Sequence, residues 1–321
     1  MGLGIDPTND YVFRLAFGDP ANSDLLIHLL NAILELPSPI VAVEILNPFL
    51  EQEFDYDKLA VLDIRAKDST GRLLNVEMQT SLTAALRERL VYYVASLYSS
   101  QLCEGQPYSE LNPTIGICIL SVRMFPQIPA GHLRFSLSDV AHGVELTPHF
   151  QIHTVELPKY NIRAVDSDSD KVEASKTADE VVAENRKSLN QLENWALWFQ
   201  RAEELDAAQL RELLPGAPYQ KAIGILEMIS RTPSQRDVYE ARQKAIRDAA
   251  WKLHEARKEG LAEGREVGLA EGREEGVRLG QIQLLQQLLN EPLSSASDLE
   301  GLTLTELDER ISALQSRLQK N

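Results

Sequence analysis

The chain has 321 residues, 44% of them hydrophobic and 25% charged, with a net charge of −16. This composition excludes a low-complexity or fibrous protein and suits about two domains. It also argues against a generally basic nucleic-acid-binding surface, so contact with phosphate would rest on a few local cations and a divalent ion.

The first elements read as two short helices, Asp10 to Phe17 and Ser23 to Leu36, separated by Gly18, Asp19 and Pro20. Strand-like runs follow at Ile40 to Leu46, Leu59 to Lys67 and Arg72 to Thr80. A long amphipathic helix is expected from Leu82 to Glu104, with Leu86, Leu90, Tyr93, Val94 and Leu97 as its buried stripe and Gly105 as its stop. Three more strands are readable at Thr114 to Val122, Leu133 to Leu137 and Phe150 to Leu157. Asp166 to Glu180 is polar and acidic, as in a linker or loop. Beyond it the chain is helical: a buried helix around Trp195 to Phe199, another at Ala222 to Ile229, a very long one from Ser234 to Leu289, and a small terminal unit from Asp298 to Leu318. The expected organisation is therefore an α/β domain over 1–163, an acidic linker over 164–180, a helical extension over 181–232, a long helix over 233–290 and a small helical unit over 291–321.

No run of 18 apolar residues and no signal-type segment occurs, which predicts a cytoplasmic location and no membrane contact. Cys103 and Cys118 sit in apolar surroundings with no zinc or redox spacing and read as buried thiols. The six histidines, His149 and His153 among them, lack the spacing of a ligand set.

Inside the long helix Gly260, Gly264, Gly268, Gly272, Gly276 and Gly280 recur four apart. Each glycine in a helix interior costs about 1 kcal/mol against alanine, so something must offset the loss. The spacing makes a bare ridge that a second backbone can approach, with Glu and Arg on its flanks. Two readings stand: a solvated charged arm, or a helix over 255–290 through which the chain forms a homo-oligomer or docks a partner.

The chemistry concentrates at Asp63 and at Glu77-Met78-Gln79. Side chains alternate faces along a strand, so Leu62, Ile64 and Ala66 share one face with Leu74, Val76 and Met78. Asp63, Arg65, Lys67, Asn75, Glu77 and Gln79 fall on the other. A five-residue loop from Asp68 to Arg72 keeps both apolar sets in one core and sets Asp63 directly across from Glu77, with Cβ atoms about 4.5–5.5 Å apart. Opposed carboxylates repel and invite a hard cation such as Mg²⁺ or Mn²⁺. From spacing alone, a plain polar hairpin face paired with Arg65 and Lys67 explains the pattern somewhat better.

The Asp63 and Glu77-Met78-Gln79 arrangement resembles the PD-(D/E)XK nuclease core in the variant where glutamine replaces the motif lysine. The stretches Asp10–Gly18, Leu29–Leu34, Leu62–Ala66, Gly71–Gln79, Arg89–Tyr93, Gly105–Tyr108 and Val155–Lys159 resemble the Rpn family of recombination-promoting nucleases and transposases. The resemblance covers residues 9 to about 160. It implies an α/β mixed sheet flanked by helices, followed here by an all-α region with the glycine-repeat helix. It implies a Mg²⁺- or Mn²⁺-dependent DNA endonuclease, linked to recombination, mobile elements or phage defence. Asp63, Glu77 and the Met78 carbonyl would hold the metal, Gln79 would place the attacking water, and Asp10 would be the additional acidic residue of the first helix. Arg14, where the family is expected to carry lysine, and Arg89 would contact phosphate. Because glutamine brings no charge, the rival reading is a weak or inactive nuclease fold serving as a DNA-binding or assembly module.

Overall fold

The computed structural model describes residues 2–47, 63–160, 189–295, 297–299 and 301–319. The whole of the expected linker over 164–180, and residues 59–62 of the expected strand, lie outside them.

Helix α1 (Asp10–Phe17) starts on Asn9, whose side chain accepts a hydrogen bond from the Tyr11 N–H at 3.0 Å. Helix α2 (Ser23–Leu34) follows a single 3₁₀ turn at Pro20–Asn22 and ends on Glu35 in the left-handed region. It ends two residues before the expected Leu36. Strands β1 (Val43–Ile45), β2 (Asp63–Asp68) and β3 (Leu73–Gln79) form an antiparallel meander. The turn between β2 and β3 winds around Asp68, whose Oδ1 accepts from the Thr70 and Arg72 N–H groups, and Gly71 supplies a φ of 93°. Burial pushes the Asp68 carboxyl up, but the hydrogen bonds from Thr70 and Arg72 outweigh it and hold the group below its ordinary range.

Helix α3 (Leu86–Ser99) then crosses over to β4 (Thr114–Leu120), which runs parallel to β3. It stops earlier than expected because Gln101 turns away to clamp the return of the chain. The Gln101 amide bonds the Asn112 carbonyl and N–H, each at 2.9 Å. Cys103 therefore lies in an exposed turn, correcting the expectation of a buried thiol, while Cys118 is buried. Strands β5 (His132–Asp139) and β6 (Val144–Glu156) complete the sheet in the order β1-β2-β3-β4-β6-β5, with β6 parallel to β4. Strand β6 starts six residues before its expected beginning, carrying Pro148 within it. Its early residues pair only with β5, so the proline interrupts no central ladder.

One face of the sheet buries Ile64, Ala66, Leu74, Val76, Met78, Ile117 and Ile119 against α1, α2 and three later helices: α4 (Gln191–Arg201), α5 (Ala207–Leu213) and α6 (Ala217–Arg231). Trp195, Trp198 and Phe199 crowd around Phe17, with ring centroids 5.3 to 6.0 Å away. The later helices thus share the core of the first two. The opposite face packs Cys118, Leu120 and Ile152 under Leu86, Leu90 and Val94 of α3. Gly116 permits this approach, since a Cβ there would stand 2.5 Å from the Val94 Cγ2.

Helix α7 (Pro233–Leu288) begins with proline in its first turn. Residues 1–246 form one compact unit and residues 247–321 a second. Within the second, α8 (Leu304–Leu318) packs Leu307, Ile311 and Leu314 on Ile282 and Leu299, and Arg278 pairs with Asp308 at 2.8 Å. Apart from the helix's own neighbouring backbone, none of the described residues lies within 4 Å of where a Cβ would sit at Gly260, Gly264, Gly268, Gly272, Gly276 or Gly280. Among the described residues no helix is long and apolar enough to cross a membrane.

Candidate active site

The β2–β3 register sets Asp63 opposite Glu77, Ile64 opposite Val76 and Arg65 opposite Asn75. The turn chemistry of Asp68 to Arg72 and the shared parity of the apolar residues both require this pairing. Strands β3, β4 and β6 run parallel, so Glu77, Gln79 and the residue after β4, Ser121, gather at one carboxyl-terminal edge. Ligands in open α/β sheets bind at such edges.

Glu77 is 2% exposed. Its two oxygens accept hydrogen bonds from neighbours on its own strand, Asn75 Nδ2 at 3.0 Å and Gln79 Nε2 at 3.3 Å. Period-two alternation places all three on one face, and Asn75 is a site residue whose role the sequence reading overlooked. The signal was present in the spacing. The Gln79 carbonyl accepts the Ser121 N–H at 3.0 Å, on the β4 side. Successive carbonyls along a strand point to opposite neighbours, so the Met78 carbonyl points toward β2, the strand that carries Asp63. Two carboxylates and one carbonyl are all hard oxygen donors, which fit Mg²⁺ or Mn²⁺ with the remaining positions left to water and phosphate. Among the described residues no three His, Cys, Asp or Glu side chains cluster as a closed metal cage.

On the α3 side, Cys118 lies beside Glu77 in register. Burial pushes its thiol up, the Glu77 charge adds to that, and Arg89 opposes it, which puts both charges within electrostatic reach of one sulfur. The Arg89 Nε is buried with no hydrogen-bond partner among the described residues. Arg14 donates through Nη2 to the Asn47 carbonyl at 3.0 Å. Asp10 is buried, and the Arg242 Nε approaches its two oxygens at 2.8 and 2.7 Å. Sequence reasoning had no means of finding Arg242, which stands 232 residues away in an ordinary helical stretch.

A second unforeseen cluster is a histidine pair, with His132 Nε2 and His153 Nδ1 2.9 Å apart. Burial, then His132, then Arg134 push His153 down to about 3. Unfolded histidine titrates near 6.5, so between those limits the unfolded chain binds a proton that the folded chain refuses. The stability contribution is fully present above about pH 6.5. It is lost as pH falls, by at most about 1.4 kcal/mol per unit. Urea denaturation at neutral and mildly acidic pH should show this slope, and His153→Gln should flatten it; an unchanged slope in the variant refutes the assignment.

A family model described as PD-(D/E)XK nuclease family transposase matches residues 7–256. No curated protein and no solved structure matches the chain.

Proposed function

We propose, since this chain belongs to the PD-(D/E)XK nuclease family of transposases, that it is a divalent-metal-dependent DNA endonuclease. The family supports a nuclease-type function with a divalent metal. The observation that carries the finer reading is the register of Asp63 against Glu77, with the Met78 carbonyl directed to the same strand.

In this reading Asp63, Glu77 and the Met78 carbonyl would hold Mg²⁺ or Mn²⁺. When bound, such an ion lowers the pKa of a coordinated water and offsets charge on the departing oxygen. The chain's own residues do the rest. Asn75 and Gln79 fix the orientation of the Glu77 carboxylate through their amide hydrogens. The second Gln79 amide hydrogen orients the attacking water without adding charge. Arg89 supplies the positive charge that glutamine lacks, and its unpartnered Nε is a donor for a phosphate oxygen. Arg14 is the second phosphate contact. Asp10, gripped by Arg242, acts as a positioning residue that anchors the start of α1, the helix carrying Arg14. Purified protein with Mg²⁺ should nick and then linearise supercoiled plasmid, and a chelator should stop it. Cleavage that persists in the chelator sinks the metal-dependent reading.

The engagement of Gln79 with Glu77 favours one alternative, a slow or inactive nuclease fold that binds DNA as an assembly module. That version takes up DNA without cutting it.

The arm over 255–290 is proposed as a homo-oligomer contact. Its glycine positions are bare, and Leu261, Leu269 and Val277 are exposed beside them. Sedimentation of a chain ending after Ile246 should give a smaller assembly, in subunit number, than the full chain; equal subunit numbers reject the contact.

A further inference from the structure

A cavity of about 310 Å³ opens at the same carboxyl-terminal edge, lined among others by Asp6, Ser121, Leu157, Pro158, Phe199 and Glu203. Its volume is at the lower end of the roughly 300–1,000 Å³ of small-ligand sites, room for one planar ring system. It is tied to Glu77 through two hydrogen bonds in series, from the Ser121 N–H to the Gln79 carbonyl and from the Gln79 amide to the Glu77 carboxylate.

The lining divides by chemistry. Leu157, Pro158 and Phe199 offer apolar walls for a flat ring. Ser121 contributes a hydroxyl whose oxygen is buried with no partner among the described residues. Asp6 spends Oδ1 on the Thr8 N–H and hydroxyl, at 2.8 and 2.7 Å, which leaves Oδ2 as an acceptor. Glu203 is anchored through its backbone, its carbonyl accepting the Gly4 N–H at 3.0 Å, and the residue is exposed. Burial pushes the Glu203 carboxyl up, and the Asp6 charge adds to this, so the two acids sense each other across the space.

Two carboxylates repel a phosphate, which excludes the DNA backbone from this cavity. They accept hydrogen bonds from ring imino and exocyclic amino groups, and guanine alone among the bases presents two such donors side by side to one carboxylate. We infer that the cavity receives one unstacked guanine of the substrate strand, read by Asp6 and Glu203 and contacted by the Ser121 hydroxyl, at the same sheet edge as the carboxylate pair. The inference rests on the DNA-cleaving reading and adds a base preference to it. A base in this position has left the stack, so the preferred substrate is single-stranded or locally opened.

The test uses the full chain in a chelator, so neither metal nor cleavage enters. Anisotropy titration compares labelled oligothymidylates carrying one central guanine, inosine or thymine. Guanine should bind about tenfold more tightly than thymine, as one good bidentate pair provides. Inosine, which lacks the 2-amino group, should lose most of that gain. Glu203→Gln and Asp6→Asn should each shrink the preference, and circular dichroism checks that both variants are folded. Equal affinities for the three oligonucleotides, no binding at all, or a guanine preference that survives both substitutions overturns the inference. Failure of the nuclease reading would show differently, as an intact preference in a protein that never cuts.

Discussion

Glu77→Gln should abolish measurable Mn²⁺ uptake in calorimetric titration and slow plasmid cleavage by at least about 10²–10³-fold, the scale on which removal of one preorganised electrostatic group is felt. The substitution keeps volume and removes one charge from a residue that is 2% exposed. The fold should survive at a cost of about 1–3 kcal/mol, because Asn75 and Gln79 donate to different Glu77 oxygens and the new amide nitrogen leaves one of those two donors without its acceptor. Uptake and cleavage both at wild-type level would remove Glu77 from the metal site. Uptake lost in the variant, with a wild type that binds metal but does not cut, would select the assembly-module reading instead.

Arg242→Ala should destabilise the protein by about 3–5 kcal/mol, read as a shift of the urea midpoint. The cause is not the loss of an attraction but the charge left behind. Asp10 and Arg242 are almost fully removed from solvent, and without its partner the buried carboxylate keeps its desolvation cost with only the Tyr11 N–H, at 2.9 Å, to offset it among the described residues. Replacing both with apolar residues of similar size, Asp10→Leu with Arg242→Met, should recover most of the loss. A midpoint for Arg242→Ala within error of wild type would show that water or another cation reaches Asp10. Truncation studies must respect the same pair. A chain cut before α7 removes Arg242 together with the arm, so a misfolded product would say nothing about oligomerisation.

The β2–β3 hairpin was legible because three local signals agree: alternation over Ile64 to Lys67 and Leu73 to Gln79, the turn residues Asp68 to Gly71, and a loop length that keeps the apolar sets together. Strand limits were less legible. Val43 to Ile45 is paired over three residues only, since pairing partners rather than propensity end a strand. The start of β6 was missed because the residues before Phe150 include a proline and pair on one side alone. Contacts between distant positions, Asp10 with Arg242 and His132 with His153, leave no mark in a single sequence. Each partner is unremarkable in its own neighbourhood. The Ser121 and Glu203 cavity belongs to the same class, since four separate segments meet to form it.

The exposed glycines of α7 carry a geometric consequence of their own. Four residues on an α-helix turn through about 400°, so each successive glycine is displaced by about 40° around the axis. From Gly260 to Gly280 the stripe therefore rotates through about 200°, more than half the circumference. A straight neighbour could follow it for only two or three glycines before meeting the Glu and Arg flanks. Any chain that stays on the stripe must coil around α7 with a right-handed pitch, the sense set by a repeat longer than 3.6 residues per turn. Lengthening or shortening the repeat by one residue would break that path while leaving composition and charge almost untouched.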